Sequence, residues 1–214
     1  MCSFKRGMEQ SPGVCLAVVV ARGKKVGLAV LSREHLDKFV KWVNDPEVTV
    51  YLNIQKVFTL EDELEWYEQV RKSGRDRVFA IVELESKRVI GVIGLHRISY
   101  YNRNAELGIF IGEKELWGQG YGEEAVKLML DYAFNVLNLH MVYLRVKDFN
   151  RRAISCYRKV GFREAGRIRD MALQPDGYHD VILMDILEEE FNSRYESFYK
   201  RIQEKAAQSS AEAP

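Results

Sequence analysis

Between Leu116 and Phe134 the chain reads LWGQGYGEEAVKLMLDYAF, with three glycines at alternate positions running straight into a helical pattern. Glycine costs a helix interior about 1 kcal/mol relative to alanine, and ordering its backbone costs further entropy. Gly118, Gly120 and Gly122 together therefore mark backbone that must lie close to something. The apolar positions that follow, Ala125, Leu128, Met129, Tyr132, Ala133, Val136 and Leu137, recur at helical spacing and form one stripe. A glycine loop at the head of a helix presents free N–H groups to an anion, and the helix dipole adds to the attraction. The plain alternative is a tight strand-to-helix turn. Two nucleotide-binding readings fail. There is no GK[ST], and GQGYGE over 118–123 is not GxGxxG and lies mid-chain, after antiparallel strands. Glu123 and Glu124 suit the dipole and are expected to point away from a bound anion.

The rest of the chain follows two periods. Residues 14–21 and 26–31 read as strands around the turn 22–25. Ser32 caps a helix over 34–43 with Leu36, Phe39, Val40 and Val43 on one face, stopped by Asn-Asp-Pro at 44–46. Thr59 and Asp62 form a capping box for a helix ending at Ser73-Gly74. The period then changes. Residues 77–84 and 88–98 read as a hairpin, and 105–112 alternates as a third strand. After the glycine loop and its helix, 141–146 is a continuous apolar strand, as expected deep in a sheet. A short helix spans 151–159 and ends at Gly161. Strands 162–173 and 178–187 meet at Pro-Asp-Gly, 175–177. Phe191, Tyr195, Phe198, Tyr199 and Ile202 lie on one face of a single helix over 188–206, and 207–214 reads as a disordered tail. The fold class is α/β, a mixed sheet with a substantial antiparallel part. The chain divides into an N-terminal extension 1–25 carrying an extra strand, a domain over 26–187, the C-terminal helix and the tail.

Charge and cysteine usage narrow the class of partner. Lys plus Arg number 32 against 31 Asp plus Glu, which argues against a general nucleic-acid binder. The three cysteines are an odd number without metal-like spacing, as in a reduced, cytoplasmic chain without a metal site. The run VCLAVVVA at 14–21 is too short to span a bilayer, which needs about 20 apolar residues. Lys5 and Arg6 precede it as in a signal peptide, but Ala21-Arg22-Gly23 is a poor cleavage context. No membrane partner is expected. The apolar face at 191–202 can dock on its own domain or on a second chain, so a homo-oligomer is an open expectation.

About thirty residues beyond the loop, 150–162 reads N-x-x-A-I-x-x-Y-x-K-x-G-F. The W-G-Q-G-Y-G loop with its helix, then a strand, then this motif, resembles the GNAT superfamily of acetyl-CoA-dependent N-acetyltransferases over roughly Val26 to Leu187. W-V-N-D-P-E-V (42–48), D-Y-A-F-N-V-L-N-L (131–139) and G-R-I-R-D…G-Y-H-D (166–180) are similar to the RimJ/RimL-type and spermidine N-acetyltransferase branch. The resemblance implies the GNAT fold, with the strands at 105–112 and 141–146 splayed apart around acetyl-CoA. The pyrophosphate would lie on the N–H groups of Gly118, Gln119, Gly120, Tyr121, Gly122 and Glu123. The pantetheine arm would pair with the edge of Ile109, Phe110 and Ile111, with Gly108 and Gly112 permitting a bulge. Trp117 departs from the Arg or Gln often found at that place, and Gln119 could supply an amide instead. Asn150 would cap the next helix and contact the arm, with Ala153 packed near the cofactor.

Transfer to an amine needs two proton movements. Tyr157 is the candidate acid, since a phenol can give its proton to the leaving thiolate; its plain alternative is a packing tyrosine. Glu106, on the cofactor strand, could take the ammonium proton directly or through water, and an unpaired buried carboxylate would have a raised pKa; its plain alternative is a surface or paired glutamate. His96 is a weaker candidate, and Cys156 reads as packing. The acceptor would be a small-molecule amine or a protein N-terminus. Asp45, Glu47, Glu61, Asp62, Glu63, Glu65 and Glu68 could draw a polycation; the plain alternative is a solvated helix face whose N-terminal acids suit the dipole. The resemblance to the spermidine branch ranks polyamines such as spermidine first. The alternatives are a protein N-terminal acetyltransferase and a non-catalytic acyl-CoA-binding module.

Overall fold

A computed structural model describes residues 18–52, 54 and 56–211. The first four residues of the strand expected over 14–21, along with Cys2 and Cys15, lie outside them.

Strand β1 (Val19–Arg22) turns at Gly23 to Lys25 into β2 (Val26–Val30). Ser32 caps a short 3₁₀ turn, Arg33–His35, which leads into α1 (Leu36–Val43). Asp45 caps α2 (Pro46–Thr49), an additional turn that proline can begin because its first N–H has no helical partner. The Thr59–Asp62 capping box starts α3 (Leu60–Lys72) as expected. Strands β3 (Arg77–Glu83), β4 (Val89–Ser99) and β5 (Asn104–Ile111) form a meander, followed by α4 (Tyr121–Asn135). Val136 and Leu137 lie just beyond the end of α4, so the apolar stripe outlasts the helix. Then come β6 (Met141–Lys147), α5 (Arg151–Val160), β7 (Arg163–Gln174), β8 (Gly177–Leu187), α6 (Glu188–Asn192) and α7 (Phe198–Ala211).

The eight strands form one mixed sheet in the order β1-β2-β3-β4-β5-β6-β8-β7. All neighbours are antiparallel except β5 and β6. That parallel pair is joined only over Asn104–Glu106 and Met141–Tyr143, after which the strands diverge. β6 stays paired with β8 throughout, from Met141–Leu187 to Lys147–Val181. Residues 107–111 of β5 therefore turn a free edge toward a gap in the middle of the sheet.

Helices cover both faces. The larger core joins Leu28, Ile81, Ile93, Leu95 and Leu107 to Ala125, Met129, Ala133 and Phe134 of α4, with Ile154, Tyr157 and Val160 of α5. The smaller one joins Ala29, Ala80, Val82 and Val92 to Leu36, Phe39 and Trp42 of α1. β6 is not buried on both faces as its apolar run predicts. Val142 and Leu144 are buried, Met141 and Tyr143 are half-buried, and Arg145 is exposed. The bulge expected at Gly108 or Gly112 lies elsewhere, between His96 and Ser99 of β4. Gly112 serves close packing instead, since a Cβ there would overlap the indole of Trp42. Gly112→Ala should therefore lower stability by about 2–3 kcal/mol, read as a lower denaturant midpoint at unchanged slope.

The single C-terminal helix expected over 188–206 is broken in two. Ser197 begins the second segment, its hydroxyl accepting the Lys200 N–H at 3.1 Å and Asp131 accepting the Phe198 N–H at 2.8 Å. α7 continues to Ala211, into the stretch that composition assigned to a disordered tail. Phe191 is buried, and Tyr195, Phe198 and Tyr199 pack on the larger core, so most of the apolar face docks on its own domain. Ile202 stays half-exposed.

Candidate active site

The gap between β5 and β6 opens a cavity of about 500 Å³ that passes through the sheet. One end is walled by Gly118, Gly120, Tyr121, Gly122 and Glu123, the middle by 106–111 of β5, and another side by Asn150, Arg152, Ala153, Cys156 and Tyr157. Val48, Tyr51 and Leu52, which follow from the Asn-Asp-Pro turn, close a further side, with the Tyr51 ring 6.3 Å from that of Trp117.

At the loop, Gly118 and Gly120 have φ of +77° and +87°, and a Cβ on either would meet no protein atom within 4 Å. These glycines are required by backbone conformation. Gly122 has ordinary helical backbone, and a Cβ there would meet only Ile111, at 3.9 Å. The first turn of α4 thus leaves open space above its N–H groups. Its two carboxylates are both engaged, although Glu123 remains in the cavity wall. Glu123 pairs with Lys127 at 2.7 Å. Glu124 accepts the backbone N–H groups of Lys24, Lys25 (2.8 Å) and Val26 (3.3 Å), binding the β1–β2 turn to the loop. The same turn places the Lys25 ammonium 3.0 Å from the Gln119 carbonyl.

Three loop side chains have roles that the sequence did not reveal. Gln119 is exposed and donates to the Glu115 carbonyl at 2.6 Å, so its amide is not offered to the cavity. Trp117 donates from Nε1 to the Ile111 carbonyl at 2.8 Å, fixing the end of the β5 edge. Tyr121 donates to Glu83 at 2.8 Å. Arg152 lies 3.8 Å above the Trp117 ring and 5.3 Å from the Tyr51 ring, a cation–π stack at the cavity wall. Among the described residues Arg152 has no carboxylate partner. Its place in N-x-x-A was legible in the sequence, but Tyr51 carried no signal.

Asn150 caps α5, its Oδ1 accepting the Ala153 N–H at 3.2 Å, and also lines the cavity. Tyr157, about two turns further, is buried with its ring against Phe162 at 5.8 Å. Its hydroxyl has no hydrogen-bond partner among the described residues, and burial pushes its pKa up, so the phenol keeps its proton at neutral pH. Cys156 reaches the cavity as well, contrary to a purely packing role. Burial pushes its thiol up to about 11, which leaves little thiolate at neutral pH.

Glu106 is a paired carboxylate, the alternative to an unpaired base. Arg97 donates to one oxygen at 2.9 Å and Arg145 to the other at 2.7 Å. The acidic residues expected to gather an acceptor do not line the cavity. Asp45 and Glu47 pair with Lys114, Asp62 with Lys56, and Glu68 with Arg33 and Arg71. Glu63 is buried on α3. No cluster of three or more metal-ligating side chains occurs among the described residues. None of the described helices is long and apolar enough to cross a membrane.

A half-open parallel strand pair, a glycine loop at a helix mouth and a tyrosine on the facing helix define an acyl-CoA-dependent acyltransferase. The family model for the acetyltransferase (GNAT) domain matches residues 25–163, and the chain belongs to that family of N-acetyltransferases. It is 32% identical over 170 residues to spermidine N(1)-acetyltransferase of Vibrio cholerae, covering 79% of this chain and 96% of that one. It is 29% identical over 171 residues to the uncharacterized N-acetyltransferase p20 of Bacillus licheniformis, covering 78% and 96%. The Vibrio cholerae spermidine N-acetyltransferase, solved with CoA and spermine, superposes with a TM-score of 0.73 at 29% identity over 78% of this chain and 98% of that one. The GNAT fold and acetyl-CoA as co-substrate follow for this chain.

Proposed function

We propose that the chain transfers acetyl from acetyl-CoA directly to a primary amine within a ternary complex, and that a polyamine such as spermidine is its first acceptor. The observation that carries the transfer is the through-sheet cavity, with the glycine loop at one end and the protonated Tyr157 phenol on its wall. The pyrophosphate lies on the N–H groups of 118–123 and the arm along Ile109, Phe110 and Ile111. Direct attack fits the one cysteine in the wall, whose thiol titrates too high for a ready acyl carrier. Attack forms the C–N bond, and the C–S bond breaks as Tyr157 gives its proton to sulfur.

The polyamine assignment rests on the relatives. A second reading, a protein N-terminus, is favoured by the cavity itself. Glu106 and Glu123 are already paired with arginine and lysine, and Arg152 and Lys159 line the wall. Thiol release from acetyl-CoA across polyamines and N-terminal peptides separates the two. For a polyamine held by charge, the spermidine KM rises steeply with salt, because exposed charges are screened over about 8 Å at physiological strength. A salt-insensitive KM, or faster acetylation of a neutral N-terminal peptide, would overturn the polyamine assignment and leave the acetyltransferase standing.

A further inference from the structure

Direct transfer needs an acceptor for the ammonium proton, and both oxygens of Glu106 are occupied by arginines. Directly across the β4–β5 ladder from Glu106 stands His96. Its Nδ1 lies 3.2 Å from Asp76 Oδ1, and the other Asp76 oxygen accepts the Ser73 hydroxyl. An imidazole that donates from Nδ1 to a carboxylate keeps Nε2 as its acceptor. That nitrogen lies over two glycines that face each other across the ladder, Gly94 and Gly108. A Cβ on Gly94 would come within 2.9 Å of it, and one on Gly108 within 3.3 Å. Gly108 is a wall of the cavity. The two glycines clear the strand face on which the ring rests; the ring does not itself line the cavity but lies beside Glu106 and Gly108, which do. The imidazole is 38% exposed, so water can reach it. The charged groups around it are Asp76, Arg97 and the Arg-paired Glu106.

We propose that His96, oriented by Asp76, is the base that deprotonates the incoming amine, directly or through one water. The proposal rests on the acetyltransferase reading above. One ammonium proton goes to Nε2, and the neutral nitrogen attacks the thioester carbonyl. A second proton leaves the nitrogen as the amide forms and replaces the one that Tyr157 gives to the departing sulfur. His96 then releases its proton to solvent, so the sum is amide, CoA thiol and one proton. Asp76 is a positioning residue, which fixes the tautomer and the ring plane as a carboxylate does for other catalytic histidines.

The test compares two kinds of acceptor. His96→Gln should lower kcat/KM for the best alkylamine of the panel about 100- to 1,000-fold at neutral pH. With methoxyamine, whose nitrogen is already neutral, the loss should stay within about threefold, because there is no proton to remove before attack. Asp76→Asn should show the same acceptor-dependent pattern at smaller size. In His96→Ala, added imidazole should restore part of the alkylamine rate. Equal losses for both acceptors, with no rescue by imidazole, would make His96 a wall residue and overturn the proposal. Acetyl-CoA affinity, measured alongside, separates this from the broader reading. Wild-type protein that binds acetyl-CoA yet acetylates no amine would remove the enzyme reading itself.

Discussion

Tyr157→Phe should lower turnover about 100- to 1,000-fold while leaving acetyl-CoA affinity nearly unchanged, the loss typical of a missing proton donor. The substitution is unusually clean. The ring keeps its contact with Phe162, and the hydroxyl leaves no orphaned partner among the described residues, so folding should be undisturbed. Burial raises the phenol's pKa, so the hydroxyl is in its protonated form at neutral pH. Single-turnover measurements should place the defect in the chemical step. Unchanged turnover would reduce Tyr157 to a packing residue.

Gly122→Val should weaken acetyl-CoA binding about 100-fold, or about 2.7 kcal/mol, with little loss of stability. Gly122 is the informative glycine of the three. At Gly118 and Gly120 the positive φ means any side chain strains the backbone, so lost binding there would be ambiguous. At Gly122 the backbone is ordinary and the nearest protein atom to an added Cβ is 3.9 Å away. The valine branches would extend from that Cβ into the open space beside the loop, where the pyrophosphate is proposed to lie. A pantetheine fragment without phosphates should bind wild type and variant alike. Equal loss for the fragment and for acetyl-CoA would place the pyrophosphate elsewhere.

Most of the scaffold was legible because it rests on local chemistry. Ser32, Thr59 and Asn150 cap as their positions suggest, and Gly161 ends α5 at φ +122°. The glycine loop drew notice because three alternating glycines precede a helix, with a tight strand-to-helix turn as the plain alternative. What was hidden depends on partners distant in sequence. Whether Glu106 was free or paired could not be read until the fold brought Arg97 and Arg145 to it. Gln119 looked like a donor to the ligand until Glu115 took its amide. The His96–Asp76 pair joins residues twenty positions apart, one on β4 and the other just before β3, and no helical or strand period encodes it. The break between α6 and α7 arises from Asp131 on α4 receiving the Phe198 N–H, a tertiary contact that overrides a continuous apolar stripe. The acidic helix α3 misled because composition counts charges without showing which are paired.

The most direct test is CoA release from acetyl-CoA, followed with and without amine, alongside acetyl-CoA binding to the same protein. Thiol should appear only when a primary amine is present, with one acetylated amine formed per thiol released. Tight acetyl-CoA binding with no release on polyamines, amino acids, aminoglycosides or N-terminal peptides would contradict an acetyltransferase and leave an acyl-CoA-binding module in its place.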